Sequence, residues 1–283
     1  MYGLGKFVRK RYGNFIGHNP DDSYFQSSFK NRTIDSARAE MDGLFGRPLA
    51  WPEISTTGEV NAIPHLKDFV NHVDSATCMR FSQIKKAVGE SQRTRVMYKK
   101  MLNFWQEELF PKLSELTGET SDLSDVAKYL AWAMRNNLSL KFQLSDLEKR
   151  MIFAMDDQMG FIKYPFSTSY ELEALPNYQF FKIFDEFVDL VQGKPWTDTT
   201  YFTRYFKKPH THPFPKFIMF SGHAETLAPL LSAFGRIEFS VKRPRPGSAL
   251  FLEFYREEGQ INVRVYYKAT LNREEELGTW TIH

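Results

Sequence analysis

Apolar residues open the chain at three- and four-residue steps. Leu4, Phe7, Val8, Tyr12 and Phe15 predict an amphipathic helix. Lys6, Arg9, Lys10 and Arg11 lie mostly off that stripe and read as a solvated face, and no aromatics interleave with them to make a nucleic-acid groove. Asp21-Asp-Ser23 is a turn signal, and Tyr24-Phe-Gln-Ser-Ser28 follows as a short strand. A second helix starts near Arg32 and Thr33, buries Ile34, Ala37, Met41 and Leu44, and stops at Gly46 and Pro48. Ser27 to Arg32 then form the connection of a strand–loop–helix unit. In open α/β sheets, ligands bind at such connections, at the carboxyl ends of strands.

From Trp51 to Pro209 the pattern turns helical, with no convincing strand. Trp51-Pro52 and Gly58 punctuate a loop. Met97, Met101, Phe104 and Trp105 form one stripe, and Leu123, Val126, Ala127 and Leu130 form another after Ser121-Asp122. Ser145-Asp-Leu-Glu148 is a capping box, in which the hydroxyl and the carboxylate each accept an N–H from the other end of the first turn. Its helix should end at Gly160. Phe180, Phe184, Phe187, Val188 and Val191 make a further stripe. These Met and Phe stripes read as core packing.

Strands return towards the end. Lys216-Phe-Ile-Met-Phe220 is a short apolar run, as expected of a strand covered on both faces. Ser221 to Thr226 turn out of it into a helix marked by Leu227, Leu230, Leu231 and Phe234 and closed by Gly235. Ala249–Tyr255 and Ile261–Tyr267 flank Glu258-Gly259 as a β-hairpin. The pattern predicts an α/β core from residues 1–52 and 210–283, a single sheet made from both chain ends, with 53–209 as a helical insertion.

Composition narrows the classes. The 283 residues carry a net charge of +3, with 42% hydrophobic and 25% charged residues, which are globular values. No concentrated basic stripe marks a nucleic-acid partner, and no run reaches the ~18 apolar residues of a membrane span. Cys78 is the only cysteine, which excludes an internal disulfide and a multi-cysteine zinc site.

The two strand–loop–helix units carry the candidate chemistry. Arg32 stands where one helix begins, and His223 and Glu225 stand where the other begins. Helix N-termini favour phosphate or carboxylate, and the guanidinium fork matches phosphate oxygens. A nearby Glu can supply a proton. His-Ala-Glu at 223–225 also matches the His-x-Glu of zinc nucleobase deaminases, but that metal needs two further thiolates, which this chain lacks. His210 and His212 have the spacing of a metal-binding pair without visible further ligands, and read as a loop coincidence. No metal is expected.

Together, in order and spacing, these segments resemble the histidine acid phosphatases, the branch 2 members of the histidine phosphatase superfamily. Leu4-Gly-Lys-Phe-Val-Arg-Lys-Arg-Tyr12 is similar to that family's Leu-Gly-x-x-(aliphatic)-Arg-x-Arg-Tyr helix. Arg32-Thr-Ile-Asp-Ser-Ala37 is similar to its Arg-Thr-x-x-Ser-Ala loop. Cys78-Met-Arg-Phe81 resembles a Cys-Pro-Arg-Phe segment, and Lys216–Thr226 resembles the strand that ends in the second catalytic motif. Leu252-Glu-Phe-Tyr255 and Val263-Arg-Val-Tyr-Tyr267 are similar to the closing strands.

The resemblance implies a phosphoglycerate-mutase-like open α/β sheet flanked by helices, with a large α-helical insertion. It implies phosphomonoester hydrolysis through a phosphohistidine, with no cofactor. Arg32 and His223 would bind phosphate, and His223 would donate to it. Glu225 would protonate the leaving group, because Ala224 stands where many members have Asp, and His-Ala-Glu is the form of the multiple inositol polyphosphate phosphatases. The partner would be a small phosphomonoester or a phosphoprotein, with room for a homodimer, and the location secreted or lysosomal.

A second departure, after Ala224, qualifies this. The signature Arg-His-Gly-x-Arg-x-Pro, which supplies the nucleophile on the first core strand, is absent: no histidine in the chain follows an arginine. The expectation is therefore a chain missing its first core strand and inactive as given, or else a non-catalytic relative that binds a phosphorylated ligand or a protein. Cys78 falls where family members carry a cysteine that often pairs with one beyond the position of His283. Asn31-Arg-Thr33 and Asn137-Leu-Ser139 are glycosylation sequons; the first abuts the proposed phosphate loop and is read as chance.

Overall fold

The computed structural model describes residues 1–47, 60–64, 68, 78–120, 122–163, 180, 183–194, 215–236, 243–270 and 272–282. Helix α1 (Tyr2–Ile16) precedes strand β1 (Ser23–Ser28) and helix α2 (Asn31–Phe45). Leu4, Val8 and Ile16 are its buried apolar residues, whereas Phe15 is 62% exposed, so the stripe closes one residue later than predicted. On α2, Ala37, Met41 and Leu44 are buried, and Gly46 ends the helix with φ 70°. This left-handed conformation suits glycine and releases the next N–H (Arg47) to cap the Asp42 carbonyl.

α1 and α2 cross at contact distance through two glycines. A Cβ on Gly5 would stand 2.0 Å from the Glu40 carbonyl oxygen, and one on Gly43 would stand 2.2 Å from that of Tyr2. No side chain larger than hydrogen fits either place.

The single sheet of the sequence reading is two sheets. The first is parallel, in the order β2-β1-β3, with β2 at Val60–Ile63 and β3 at Phe217–Ser221. β2 falls in the stretch read as strand-free; it pairs Phe25–Ser28 with Val60–Ile63. The central β1 is buried at every residue, as a parallel strand covered on both faces must be. The second sheet is antiparallel, built of β4 (Ala249–Glu257), β5 (Gln260–Thr270) and β6 (Arg273–Ile282). Its predicted hairpin turns at Glu258-Gly259, both with positive φ, and β6 adds a third strand that the pattern did not show.

Arg11 is exposed, as the solvated face requires, and is also tied to the antiparallel sheet. It pairs with Glu253 at 3.1 Å and with Glu274, and lies 4.2 Å from the centre of the Tyr266 ring. Tyr12 donates to the same Glu253, and burial raises its phenol above the ordinary range. α1 is thereby fastened to the antiparallel sheet, and Phe7 and Tyr12 pack their rings on Phe251.

The helical stretch comprises α3 (Met79–Glu90), α4 (Gln92–Phe104), a π-helical turn (Trp105–Leu109), α5 (Phe110–Thr117), α6 (Leu123–Arg135) and α7 (Asp146–Lys163). Trp105 is buried and Phe104 is 49% exposed, so only one of this predicted aromatic pair reaches the core. The capping box forms: Glu148 N–H donates to Ser145 Oγ at 3.2 Å, and Ser145 N–H donates to Glu148 Oε2 at 2.8 Å. α7 passes through Gly160 to Lys163 instead of stopping there, since an interior glycine weakens a helix by only about 1 kcal/mol. Residues 183–191 are also helical, with Phe184 and Phe187 against Phe254.

Two buried clusters result. Val8, Ile16, Phe25, Ala37, Met41, Leu44 and Met219 form the α/β core. Trp105, Leu109, Leu113, Leu130, Ile152 and Met155 belong to the helical one. Trp51-Pro52, Gly58, His210 and His212 lie outside the described residues. Among the described residues, no helix is long and apolar enough to cross a membrane.

Candidate functional site

β1 and β3 are adjacent and parallel, with Ser27 level with Ser221. Both therefore end at the same edge, and each leads at once into a helix: β1 into α2, and β3 into α8 (Ala224–Ala233). Two helix N-termini thus stand side by side at the carboxyl edge of a parallel sheet. The connection after β1 is shorter than read: Arg32 is already in the first turn of α2.

The structure brings Arg32 and His223 together. Arg32 Nη2 is 3.3 Å from His223 Nδ1, and His223 Nε2 is 2.8 Å from Ser28 Oγ. A guanidinium only donates, so Nδ1 is the accepting nitrogen and Nε2 carries the proton, which it gives to Ser28. Ser28 Oγ lies 2.8 Å from Thr33 Oγ1, and Thr33 donates to the carbonyls of Ser28 (3.0 Å) and Lys30 (2.8 Å). The donors run in one direction, from Arg32 to His223 and from His223 through Ser28 to Thr33. Ser221 Oγ closes the floor by donating to the Thr33 carbonyl at 2.9 Å. Ser28 is fully buried and Thr33 is 5% exposed, so the ring is fixed from the protein side while Arg32 faces outward.

Glu225 sits in the first turn of α8, two residues beyond His223. No contact between it and Arg32 or His223 is among those described; its partner is Arg243, whose Nη2 is 3.7 Å from Glu225 Oε1. Arg243 Nη1 in turn lies 3.8 Å from Asp156 Oδ1 on α7, and Arg135 on α6 binds the other oxygen of Asp156. A line of alternating charge therefore runs from the helical layer to the head of α8.

These groups border one cleft of ≈ 2180 Å³. Every residue from Pro215 to Glu225 and from Arg243 to Tyr255 touches it, so β3 and β4 both present an outer edge to the same space. On α2, Arg32, Ser36 and Glu40 recur at four-residue steps along the wall. Glu40 is 5% exposed, and burial pushes its carboxyl up to about 7 against the pull of the Met1 ammonium.

Sequence reasoning named Arg32, His223 and Glu225 and missed Ser28, Thr33, Glu40 and Arg243. The spacing of 32, 36 and 40 on one helix face was a readable signal, as was the Arg-Pro-Arg-Pro run at 243–246 ahead of the hairpin. Among the described residues, no group of three or more His, Cys, Asp or Glu side chains is set to hold a metal ion.

Fold and site define a mixed α/β protein whose polar cluster lies at the carboxyl edge of a parallel sheet. Residues 1–268 match the family model of the Histidine phosphatase superfamily (branch 2), and the chain belongs to that family. It is similar to testicular acid phosphatase of Mus musculus, with 28% identity over 121 residues, 41% of this chain and 27% of that protein. The human testicular acid phosphatase gives 28% over 123 residues, with the same shares. A putative acid phosphatase 5 of Caenorhabditis elegans gives 45% over 47 residues, 16% of this chain and 11% of that protein. The chain thus spans well under two thirds of the length of each relative.

Proposed function

We propose that this chain holds the phosphate group of a phosphomonoester, on a small molecule or a phosphoprotein, at the head of α2 and α8. It does so as the phosphate-binding part of an acid phosphatase of the phosphohistidine kind. The observation that carries the reading is the convergence of Arg32 and His223 at 3.3 Å, where two helix N-termini meet. The guanidinium and two sets of first-turn N–H groups offer preorganised positive potential to a tetrahedral oxyanion. Glu225, two residues on and bordering the same cleft, is the candidate donor of a proton to the leaving oxygen. Family membership supports the reaction class, and the acid phosphatase relatives support a secreted or lysosomal location.

In this reading, residues 1–283 bind phosphate without attacking it, because no histidine follows an arginine. A strand carrying the nucleophile would enter between the outer edges of β3 and β4, which border one cleft over Phe217–Ser221 and Ala249–Tyr255, and would join the two sheets. Residues 1–52 and 210–283 then form the phosphatase core, and 53–209 form its cap, apart from β2. The missing Arg-His pair equally favours a second reading, a non-catalytic relative that retains only the binding step.

Isothermal titration of the 283-residue chain with inorganic phosphate, beside Arg32→Ala, tests the shared core of both readings. Binding by the parent and a loss of at least about tenfold in the variant are expected. Equal affinities would refute the site. p-Nitrophenyl phosphate should show no turnover with this chain, and robust turnover would overturn the assignment of the missing nucleophile.

A further inference from the structure

Two groups of opposite sign stand side by side at the head of α8. Glu225 brings a carboxylate to the wall where the proposed oxyanion sits, and a carboxylate repels an oxyanion. Arg243 stands 3.7 Å from that carboxylate on its Nη2 side and 3.8 Å from Asp156 on its Nη1 side. Asp156 is 5% exposed and is held from below by Arg135. Arg243 itself comes from the segment between α8 and β4, where Pro244 and Pro246 restrict the backbone on either side of Arg245. Its guanidinium is thus steered by a buried anion towards Glu225 while remaining on the cleft wall.

We propose that Arg243 is a positioning residue: it supplies the counter-charge that lets a phosphate oxyanion bind beside the Glu225 carboxylate, before that group holds the proton it would donate. The inference rests on the reading that Arg32 and His223 hold phosphate. It adds a member to the site that contacts Glu225 instead of the ligand. The distances favour this assignment. At 3.7 and 3.8 Å the guanidinium is shared between two carboxylates by charge, without a short directed hydrogen bond to either. Neutralising it leaves Glu225 exposed to the ligand. Removing Glu225 at the same time leaves nothing to neutralise.

The test is a charge cycle on inorganic phosphate affinity at pH 7.5, measured by isothermal titration on the full chain. The set is Arg243→Gln, Arg243→Lys, Glu225→Gln, the Arg243→Gln/Glu225→Gln double variant, and Arg32→Ala. Arg243→Gln should weaken phosphate binding about tenfold, which is about 1.4 kcal/mol. Arg243→Lys should recover most of that loss, since it restores the charge without the fork. The double variant should return to the affinity of Glu225→Gln alone.

If Arg243→Gln weakens binding equally in both backgrounds, Arg243 acts on the ligand directly and the counter-charge role is overturned. An unchanged affinity in Arg243→Gln, with Arg32→Ala still impaired, overturns the inference and spares the phosphate site. Unchanged affinity in Arg32→Ala removes both. Arg243 has a side chain 38% exposed, and a thermal scan of each variant separates loss of binding from loss of fold.

Discussion

Glu40 gives the sharpest quantitative consequence of the α1–α2 crossing. Its backbone carbonyl faces Gly5 across the crossing, while its carboxyl is buried in the cleft wall, where desolvation lifts it from 4.5 to about 7. The folded state therefore holds this proton more tightly than the unfolded chain does. The contribution to stability is fully present below pH 4.5, is lost as the pH rises towards about 7, and is flat above it. At about 1.36 kcal/mol per pKa unit, the whole window amounts to about 3 kcal/mol. Glu40→Gln keeps the shape and a polar head but cannot ionise. Parent and variant should match near pH 4, and the variant should be more stable by about 3 kcal/mol near pH 8. Urea unfolding across that range, followed by circular dichroism, measures the difference between the two proteins, in which all other titrations cancel. A difference of the same size at both ends of the range would refute the reasoning, because a purely structural effect of the amide does not follow pH.

The other expectations concern the crossing and the relay. Gly5→Ala places a Cβ 2.0 Å from the Glu40 carbonyl and should destabilise the fold by at least about 2 kcal/mol, read as a lower unfolding midpoint. Ser28→Ala removes the acceptor of the His223 Nε2 proton and should cost about 1 to 2 kcal/mol of stability together with weaker phosphate binding; an unchanged affinity would count against the relay.

Much of the scaffold was legible because its signals are local. The Ser145–Glu148 box, the Gly46 stop and the Glu258-Gly259 turn each depend on a few neighbouring residues, and each forms as read. β2 and β6 were illegible because their pairing is not local. Val60–Ile63 is too short for a period to show, and it exists as a strand through its ladder to β1. Arg273–Ile282 carries three successive glutamates after Arg273 and is largely solvent-facing; β5 holds it in place across two register shifts. Gly160 misled because a stop signal competes with the pull of a helix already propagating on both sides of it.

The site divides in the same way. Arg32 and His223 were each readable at the head of a helix, but their meeting depends on β1 and β3 being neighbours, which no window of sequence contains. Arg243 stood in a visible Arg-Pro-Arg-Pro run, but its role was not legible for the same reason: it depends on Asp156, which reaches it from another layer.

Among the described residues the two buried clusters share no residue, and this bears on cooperativity. A chain with two cores has two units that can melt at different temperatures. The charge line Arg135–Asp156–Arg243–Glu225 crosses from one to the other. If the helical unit loosens first, Asp156 withdraws from Arg243, and the head of α8 feels the change while the parallel sheet still keeps all its ladder bonds. Oxyanion affinity would then fade on warming before the sheet melts, and the binding site would act as its own thermometer.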